Sequence, residues 1–323
     1  MDDSSSQKVK KVLAPMVRVG TLPMRLLALE YGADLVYSEE IIDRNFLDCY
    51  IHNNEKYSIK EWISNKTQLC FFSTCNQERD HLIVQLGTSN GNCAWKAAEK
   101  IIPFCRGIDV NMGCPLLYST KGGMGSALLK TPEIASDIIK TLRRNLPNEY
   151  SVTAKIRLFP VLQDTIDFVH MLANSGVDAV AIHARQVHER AKDKANWSQL
   201  AQIASHVVNV PLLGNGDIFS LQDMQRMKDQ TGISQWMIAR MAQWNVSVFQ
   251  GTLDCINNVI LRYAKLAEET NTYYGLAKYC IQQMIKYQKW TRTEFASKVN
   301  YARCWKDLKD SLVLMPPALS LYE

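Results

Sequence analysis

A single cysteine follows an apolar run in the segment 107–129, GIDVNMGCPLLYSTKGGMGSALL. Cys114 lies between Gly113 and Pro115, shortly after Asn111. An unperturbed thiol has a pKa of about 8.5, so it is mostly protonated at pH 7 and can donate a proton. A nucleophilic role would need a lower pKa, set by a nearby imidazolium or a helix N-terminus. The commonest alternative is a buried cysteine that only fills space.

Polar residues also end other apolar runs of the chain. Lys155 and His183 each lie near the end of such a run, and Asn215 is followed by Gly216. A glycine lets backbone N–H groups approach a phosphate, and a lysine beside a flavin can stabilise the negative charge of its reduced ring. Together these residues suit a phosphorylated cofactor with a flat polar ring, above all FMN. Taken singly, Lys155 could form a Schiff base, His183 could be a packed histidine, and the Asn-Gly pair could be a plain turn.

The elements that must position these residues are short apolar runs that alternate with helical patterns. Near-continuous apolar character predicts parallel strands that are buried on both faces. Eight strand–helix units are what an α/β fold of the (β/α)8 TIM-barrel type requires, and a doubly wound open sheet is the main alternative. The predicted strands cover residues 11–16, 34–40, 82–87, 107–113, 152–158, 179–185, 210–216 and 235–240.

A barrel makes a definite demand, because its active sites lie where the strands end. Nearly every predicted strand ends in polar or functional residues, and Gln85 could bond the amide edge of a flavin. The loops after strands seven and eight, GNGD and ARMA, are the expected phosphate site. The residues at these ends are Pro15, Met16, Glu40, Gln85, Asn111, Lys155, Arg157, His183, Arg185, Asn215, Gly216, Ala239 and Arg240.

Two further stretches predict local structure. Residues 131–144 predict an amphipathic helix, with Thr131 as its N-cap and with Ile134, Ile138 and Leu142 on one face. Residues 41–80 interrupt the alternation and predict a small hairpin or helices over the barrel mouth.

The composition is that of a globular protein, with 47% hydrophobic and 21% charged residues in 323. No apolar run approaches the ~20 residues of a membrane span, and the polar start lacks a signal peptide, so we expect a disordered segment 1–10 and a cytoplasmic protein. The nine cysteines form no CxxC pair, so we expect reduced thiols and no metal site. The net charge is +5, and ten Lys and Arg against seven Asp and Glu lie beyond residue 250.

Several segments in a fixed order resemble the tRNA-dihydrouridine synthases, above all their eukaryotic type 2 branch. They are LAPMVRVGTLPMRLLALEYGADLVYSEE, VQLG, GIDVNMGCP, STKGGMGSALL, AKIRL, IHAR, GNGD and IARM, between about Lys11 and Trp244. The resemblance implies an FMN-binding catalytic barrel over 11–250, and a small all-α domain over 251–323 that binds tRNA. Animal members of this branch usually continue into a double-stranded RNA-binding domain, and the printed sequence ends at Glu323 without one. We therefore expect the barrel mouth and the helical tail to hold the tRNA. Separately, we expect the protein to be a monomer.

The resemblance also implies roles. Cys114 would be the catalytic acid that protonates C5 of a uracil, after hydride transfer from FMN to C6, with NADPH or less efficiently NADH as reductant. The base, uridine 20 of the D-loop, must leave its stack, and Asn111, Arg157 and Arg185 would bind it. Ala239 stands where the family commonly has glycine. FMN would be surrounded by Pro15, Met16, Glu40, Gln85, Lys155, His183, Asn215, Gly216, Ala239 and Arg240.

The stretch 276–290 predicts a helix with one apolar and one basic face. A basic face beside Tyr287 and Trp290 could follow phosphates and stack on bases, or it could simply be solvated. Two other functions stay open: an FMN enzyme acting on free pyrimidines, related to dihydroorotate dehydrogenases, and an RNA-binding scaffold without catalysis. The basic face carries Lys278, Lys286 and Lys289, opposite Ala277, Cys280, Ile281 and Met284.

Overall fold

The computed structural model describes residues 9–317. The predicted disordered segment 1–10 therefore lies outside the described residues except for Val9 and Lys10, and Lys10 already belongs to the first strand. The strands of the described residues are, in chain order, β1 (Lys10–Leu13), β2 (Leu35–Tyr37), β3 (Ile41–Ile42), β4 (Cys49–Asn54), β5 (Ile59–Ser64), β6 (Cys70–Thr74), β7 (Leu82–Gly87), β8 (Gly107–Met112), β9 (Ser151–Leu158), β10 (Ala179–Gln186), β11 (Leu212–Asn215) and β12 (Gln235–Ile238).

Helices follow most of the strands in the same part of the chain. They are α1 (Leu22–Glu30), α2 (Asp43–Leu47), α3 (Gly91–Ile101), α4 (Leu117–Thr120), α5 (Pro132–Asn145), α6 (Leu162–Ser175), α7 (Trp197–His206), α8 (Leu221–Thr231), α9 (Arg240–Trp244), α10 (Ile256–Glu269), α11 (Tyr274–Tyr287), α12 (Glu294–Tyr301) and α13 (Trp305–Leu312).

Eight parallel strands of the described chain close into a barrel. Their order is β1, β12, β11, β10, β9, β8, β7 and β2, and pairing of β2 with both β7 and β1 closes the ring. The short β3 pairs with β7 at the rim. The predicted (β/α)8 barrel is therefore confirmed, and an open sheet is excluded because the ring has no free edge strand.

The strands are apolar throughout because both of their faces are buried. Successive side chains alternate between the barrel interior and the layer of helices outside. The interior is filled by a small apolar cluster, and the outward side chains join the helices in a much larger core. The interior cluster contains Val12, Ala14, Tyr37, Ile83, Ala181, Leu213 and Met237.

All eight predicted strands exist, but several end earlier than predicted. The first ends at Leu13, the second at Tyr37 and the last at Ile238, so the residues that follow them lie in loops. Pro15 has no N–H to continue a ladder, which is one reason for the early end of β1. Residues expected on these strand ends therefore lie at the barrel rim.

The predicted helix over 131–144 is α5, with two corrections. Thr131 makes no side-chain cap; its hydroxyl points back to the carbonyl oxygen of Ala127 at 3.5 Å. Ile134 is 37% exposed, whereas Ile138 and Leu142 are fully buried. The buried stripe therefore consists of Ala135, Ile138, Ile139 and Leu142, and its centre lies about a quarter turn away from Ile134.

The insertion forms a three-stranded antiparallel sheet, β4–β5–β6, with α2 beside it. The prediction was a small hairpin or helices, and the insertion contains both a helix and a sheet with one strand more than a hairpin. Its own aromatic core packs Phe46 against Trp62 with ring centres 5.6 Å apart, and Trp62 against Phe72 at 5.4 Å. The buried Arg25 of α1 holds the insertion to the barrel by an ion pair with Glu78 at 2.6 Å.

Helices α10 to α13 follow the barrel. Helix α10 packs against α1, and Arg262 of α10 donates to Glu30 of α1 at 2.8 Å. Helix α11 buries the predicted apolar face, since Ala277, Cys280, Ile281 and Met284 are fully buried. A border between two domains near residue 250 stays a prediction, because α10 is an integral neighbour of the first barrel helix.

Candidate active site

The C-terminal ends of the strands surround a cleft of about 240 Å³. Every one of the eight barrel strands contributes a residue from its end or from the loop that follows it. All eight strands run in the same direction, and side chains two positions apart on a strand share a face. The residue two positions after an interior residue therefore faces the C-terminal mouth of the barrel. The predicted site residues that line this cleft are Pro15, Glu40, Gln85, Asn111, Cys114, Lys155, Arg157, His183, Asn215 and Ala239.

A chain of buried hydrogen bonds forms the floor of the cleft. Thr153 and Gln85 donate to the two carboxylate oxygens of Asp109, at 2.7 and 2.8 Å. The side-chain amide of Asn111 donates in turn to the Gln85 oxygen at 3.2 Å. Burial raises the pKa of Asp109 to about 6, although the two donors and Lys155 oppose that rise. These hydrogen bonds fix the orientation of the Gln85 amide, with its nitrogen toward Asp109 and its oxygen toward Asn111.

Asn111 also holds the loop that carries the thiol. Its side-chain oxygen accepts the backbone N–H groups of Gly113 and Cys114, each at 3.0 Å. Farther along, the N–H of Ser126 bonds the carbonyl of Cys114 at 2.9 Å. The residues on either side of the glycine-rich stretch are therefore tied back to the end of β8.

The Cys114 thiol donates to the hydroxyl of Tyr118, with 3.6 Å between sulfur and oxygen. Tyr118 donates to one carboxylate oxygen of Glu40 at 2.8 Å, and the buried Ser119 donates to the other at 3.0 Å. Burial raises the pKa of the Cys114 thiol and the carboxylate of Glu40 raises it further, whereas hydrogen bonds with the Leu116 N–H and with Tyr118 oppose the rise, and the net shift is upward. These surroundings favour the protonated thiol and therefore a proton donor rather than a nucleophile.

Gly125 lets the loop that carries Cys114 fold back tightly on itself. Its φ is +57°, in the left-handed region, and a Cβ at this position would lie 2.4 Å from the Ser119 hydroxyl oxygen and 2.6 Å from the Cys114 carbonyl oxygen. Only glycine fits both this conformation and this space.

Three basic side chains crowd one side of the cleft. Burial lowers the pKa of Lys155 to about 8, with a further contribution from the charge of Arg157. Burial also lowers the pKa of His183 well below its ordinary value, and the charges of Lys155 and Arg157 add to this. His183 is therefore a neutral imidazole at pH 7. Arg157 is held by the carbonyl oxygens of Gln186 and Glu189, at 2.9 and 3.3 Å.

Asp217 organises the rim beyond His183. Its carboxylate accepts from Arg185 at 2.6 Å and from Arg240, and its second oxygen accepts the Ala195 N–H at 2.7 Å. Burial raises the pKa of Asp217, but these donors outweigh it and the net shift is downward. At the neighbouring Gly216, φ is +123° and a Cβ would lie 3.0 Å from that of Ala195, so a side chain would fill this corner.

Arg185 does not line the cleft, contrary to its predicted role in substrate binding. The residue is 2% exposed, and it bonds the Asp193 carbonyl at 2.6 Å and the His183 ring at 3.2 Å in addition to Asp217. Residues two positions apart on a regular strand share a face, but the pairing of β10 with β9 is irregular between His183 and Gln186, and the Arg185 guanidinium turns to Asp193 and Asp217. Arg185 supports His183 and Asp217 from behind.

Three other predicted residues lie outside the set that lines the cleft. Met16 packs against the core, and its carbonyl oxygen accepts the Gly20 N–H at 2.7 Å. Gly216 and Arg240 lie at the rim around Asp217. Ala239 has a φ of −113°, so it does not occupy the left-handed region that favours glycine.

The lysines of α11 and of the turn after it have different surroundings. Lys278 donates to the carbonyl oxygens of Asn300 and Ala302, at 2.8 and 2.9 Å, and so closes the end of α12. Lys286 and Lys289 are exposed. Tyr287 stacks on Trp244 with ring centres 4.9 Å apart, while Trp290 is 4% exposed and therefore cannot stack on a base.

Sequence reasoning missed Tyr118, Ser119, Asp109 and Asp217. Asp109 had a visible signal, a lone carboxylate inside an otherwise apolar strand, and Asp217 directly follows the Gly-Asn-Gly turn. Tyr118 and Ser119 had none, because their contacts depend on how the loop folds back toward Glu40.

Among residues 9–317, no cluster of three His, Cys, Asp or Glu is placed to hold a metal ion. No helix within the same range is long and apolar enough to cross a membrane.

The sequence of the chain is similar to those of known proteins. The chain is 34% identical over 309 residues to the tRNA-dihydrouridine(20) synthase [NAD(P)+] of Schizosaccharomyces pombe. This alignment covers 93% of this chain and 64% of that protein. It is 36% identical over 256 residues to the protein of the same name from Saccharomyces cerevisiae, covering 75% and 67%. The chain thus spans about two thirds of the length of these curated relatives.

A solved complex of 2-naphthoyl-CoA reductase superposes with a TM-score of 0.53 at 11% identity, covering 75% of this chain and 49% of that one, which supports the fold alone. The family model described as dihydrouridine synthase (Dus) matches residues 12–314. Because this match spans the barrel and the helices that follow it, the chain belongs to the dihydrouridine synthase (Dus) family.

Proposed function

We propose that this protein is a flavin-dependent tRNA-dihydrouridine synthase whose target is uridine 20 of the tRNA D-loop. The two relatives with 34% and 36% identity carry the name tRNA-dihydrouridine(20) synthase [NAD(P)+]. The observation that carries the proposal is that Cys114 and Lys155 line one cleft, together with Gln85 and His183. A proton donor and a cationic ring partner thus face a common space.

FMN fits the residues that are present. The mouth is cationic on one side, where Lys155 and Arg157 lie, and the open corner at Gly216 beside Arg240 suits an anionic phosphate. When bound, FMN supplies the hydride for the uracil C6, and NADPH or NADH reduces the flavin. The residues that would hold it are Pro15, Met16, Glu40, Gln85, Lys155, His183, Asn215, Gly216, Ala239 and Arg240.

The chain itself supplies the acid and the grip on the base. Cys114 gives its thiol proton to C5 of the uracil. The raised pKa of the thiol keeps it protonated until the uracil enters the cleft. Asn111 fixes the thiol loop and, with Arg157, orients the base. His183 stays neutral and can both donate and accept a hydrogen bond.

The tRNA needs a surface beyond the cleft. The exposed Lys286 and Lys289, at the end of α11, are the proposed phosphate contacts. Lys278 stays within the proposal only as the residue that closes α12, because its ammonium group already bonds two carbonyl oxygens. A monomer in the cytoplasm is part of the same proposal.

The deciding experiment measures dihydrouridine formation by the purified protein with FMN and NADPH, on a tRNA transcript, on the same transcript with position 20 changed to cytidine, and on free uridine. We expect reduction only on the first. Equal turnover of free uridine would favour the alternative of an enzyme for free pyrimidines. A protein that cannot retain flavin yet binds tRNA would favour the scaffold.

A further inference from the structure

We propose that Glu40 is a positioning residue that keeps the Cys114 thiol protonated, because it engages the proton of Tyr118 that would otherwise be donated to the sulfur. The inference rests on the proposed function in one respect, namely that the thiol must act as an acid. The contacts of the three side chains carry it.

The direction of the hydrogen bonds is the first step. Tyr118 has one proton, and it points to the Glu40 carboxylate, 2.8 Å away. The Tyr118 oxygen can then only accept from the sulfur, which lies at 3.6 Å. A thiol can donate into this site, whereas a thiolate would face an oxygen lone pair with a carboxylate behind it.

The carboxylate is itself held in place. Ser119 is fully buried and donates to the second oxygen of Glu40 at 3.0 Å. Gly87 makes room for the carboxylate, because a Cβ there would lie 2.7 Å from the nearer oxygen of Glu40. Glu40 therefore cannot turn away easily, and the tyrosine proton stays directed toward it.

The opposing charges show why such a device is useful. Lys155 and Arg157 of β9 line the same cleft as the thiol, and their positive charges attract a thiolate at Cys114. Without Glu40, these cations and the freed hydroxyl proton of Tyr118 would promote loss of the proton that the reaction needs. Glu40 offsets them and preserves the acid.

The test is the pH dependence of Cys114 alkylation by iodoacetamide, because only the thiolate reacts. Rates are measured on the full chain from pH 6 to 10 by peptide mass spectrometry, with the exposed Cys255 of the same molecule as reference. The variants are Glu40→Ala, Tyr118→Phe and the double substitution. Neither flavin nor tRNA is needed, so the outcome is independent of whether the protein reduces uridine.

Glu40→Ala should lower the pH at half-maximal rate by about one unit, which is roughly a tenfold faster reaction at pH 7. Part of that fall should vanish when Tyr118→Phe is added, because the freed hydroxyl proton can no longer reach the sulfur. Tyr118→Phe alone should change the half-maximal pH much less. Glu40→Gln replaces Glu40→Ala if the latter does not fold, with the same sign and a smaller shift.

Additive effects of the two substitutions would overturn the proposal, since Tyr118 would then influence the sulfur independently of Glu40. An unchanged half-maximal pH in both Glu40 variants would overturn it as well. If the wild-type protein does not reduce uridine in tRNA but the variants show the expected alkylation pattern, only the proposed function is contradicted.

Discussion

The side-chain oxygen of Asn111 accepts the backbone N–H of Cys114 at 3.0 Å, and this bond joins the end of β8 to the loop that carries the thiol. The same side chain donates to Gln85 at 3.2 Å, so one amide connects the floor of the cleft with the acid above it. A displacement of the Asn111 side chain would therefore move both Gln85 and the loop that carries Cys114.

Replacing Asn111 by alanine should therefore reduce uridine turnover more than it reduces stability. Two backbone N–H groups near the thiol lose their acceptor, and an unmet buried donor costs about 1–3 kcal/mol. If the same free energy is added to the barrier because the thiol is misplaced, single-turnover rates on tRNA should fall roughly 5- to 150-fold. Asn145→Ala, at the exposed end of α5, is the control and should leave the rate unchanged. A wild-type rate in Asn111→Ala would show that the loop is held by other contacts.

Cys114→Ala should retain flavin and tRNA binding while losing most turnover. General acid catalysis contributes about 10²–10⁴-fold, and the methyl group of alanine cannot donate a proton. Flavin absorbance, tRNA affinity and dihydrouridine formation are measured side by side, with Cys255→Ala as the control on an exposed thiol. A Cys114→Ala enzyme with undiminished turnover would remove the thiol from the mechanism.

The sequence predicted those parts of the molecule that depend on local pattern. All eight barrel strands follow from apolar runs that need burial on two faces, and Gln85, Lys155 and His183 follow from the rule that strand ends meet at one mouth. Arg185 shows the limit of that rule. It stands two residues after His183, yet a register shift in the pairing of β10 with β9 separates the two positions, and its guanidinium turns to Asp217.

Contacts between distant loops could not be predicted in the same way. Tyr118 reaches Glu40 across 78 positions of the chain, and no periodicity encodes that meeting. The sequence predicted a small hairpin or helices in the insertion but not its three-stranded sheet, because the core of Phe46, Trp62 and Phe72 forms only once the strands pair.

Gly125→Ala should damage activity far more than a matched glycine substitution elsewhere. Both Gly125 and Gly232 have a left-handed φ, +57° and +74°, so alanine at either one costs about 1 kcal/mol of backbone strain. A Cβ at Gly125 meets Ser119 and the Cys114 carbonyl, whereas a Cβ at Gly232 meets nothing within 4 Å. We expect Gly125→Ala to lose more thermal stability than Gly232→Ala, which carries only the backbone strain, and we expect a turnover defect only in Gly125→Ala. Equal turnover in the two variants would mean that the loop adapts.

Lys155 should titrate near pH 8, about two units below an ordinary lysine. Below that pH the side chain is an ammonium ion, and above it a neutral amine that can be acylated. Acetic anhydride labelling, followed by mass spectrometry across pH 6 to 11, should therefore show a midpoint of about 8 for Lys155. Asp109→Asn should move this midpoint lower, because the Asp109 carboxylate favours the ammonium form. A midpoint near 10 would contradict the effect of burial on this lysine.

The exposed lysines near the end of α11 should set the salt dependence of tRNA binding. Lys286 and Lys289 have exposed side chains, and each phosphate contact adds about 0.7–0.9 to the slope of log affinity against log salt. The double variant Lys286→Gln/Lys289→Gln should therefore bind tRNA more weakly at low salt and show a slope that is shallower by about 1–2. Filter-binding isotherms from 50 to 300 mM salt measure both quantities.

The matched control separates a phosphate contact from general charge. Lys96→Gln/Lys228→Gln removes the same two charges from exposed positions on the barrel helices α3 and α8. It should leave the slope unchanged, because long-range attraction is screened beyond about 10 Å at ordinary salt. Lys278→Gln is informative in a different way: it should lower the melting temperature, since two carbonyl oxygens at the end of α12 lose their donor. Identical slopes in the two double variants would place the tRNA on another face of the protein.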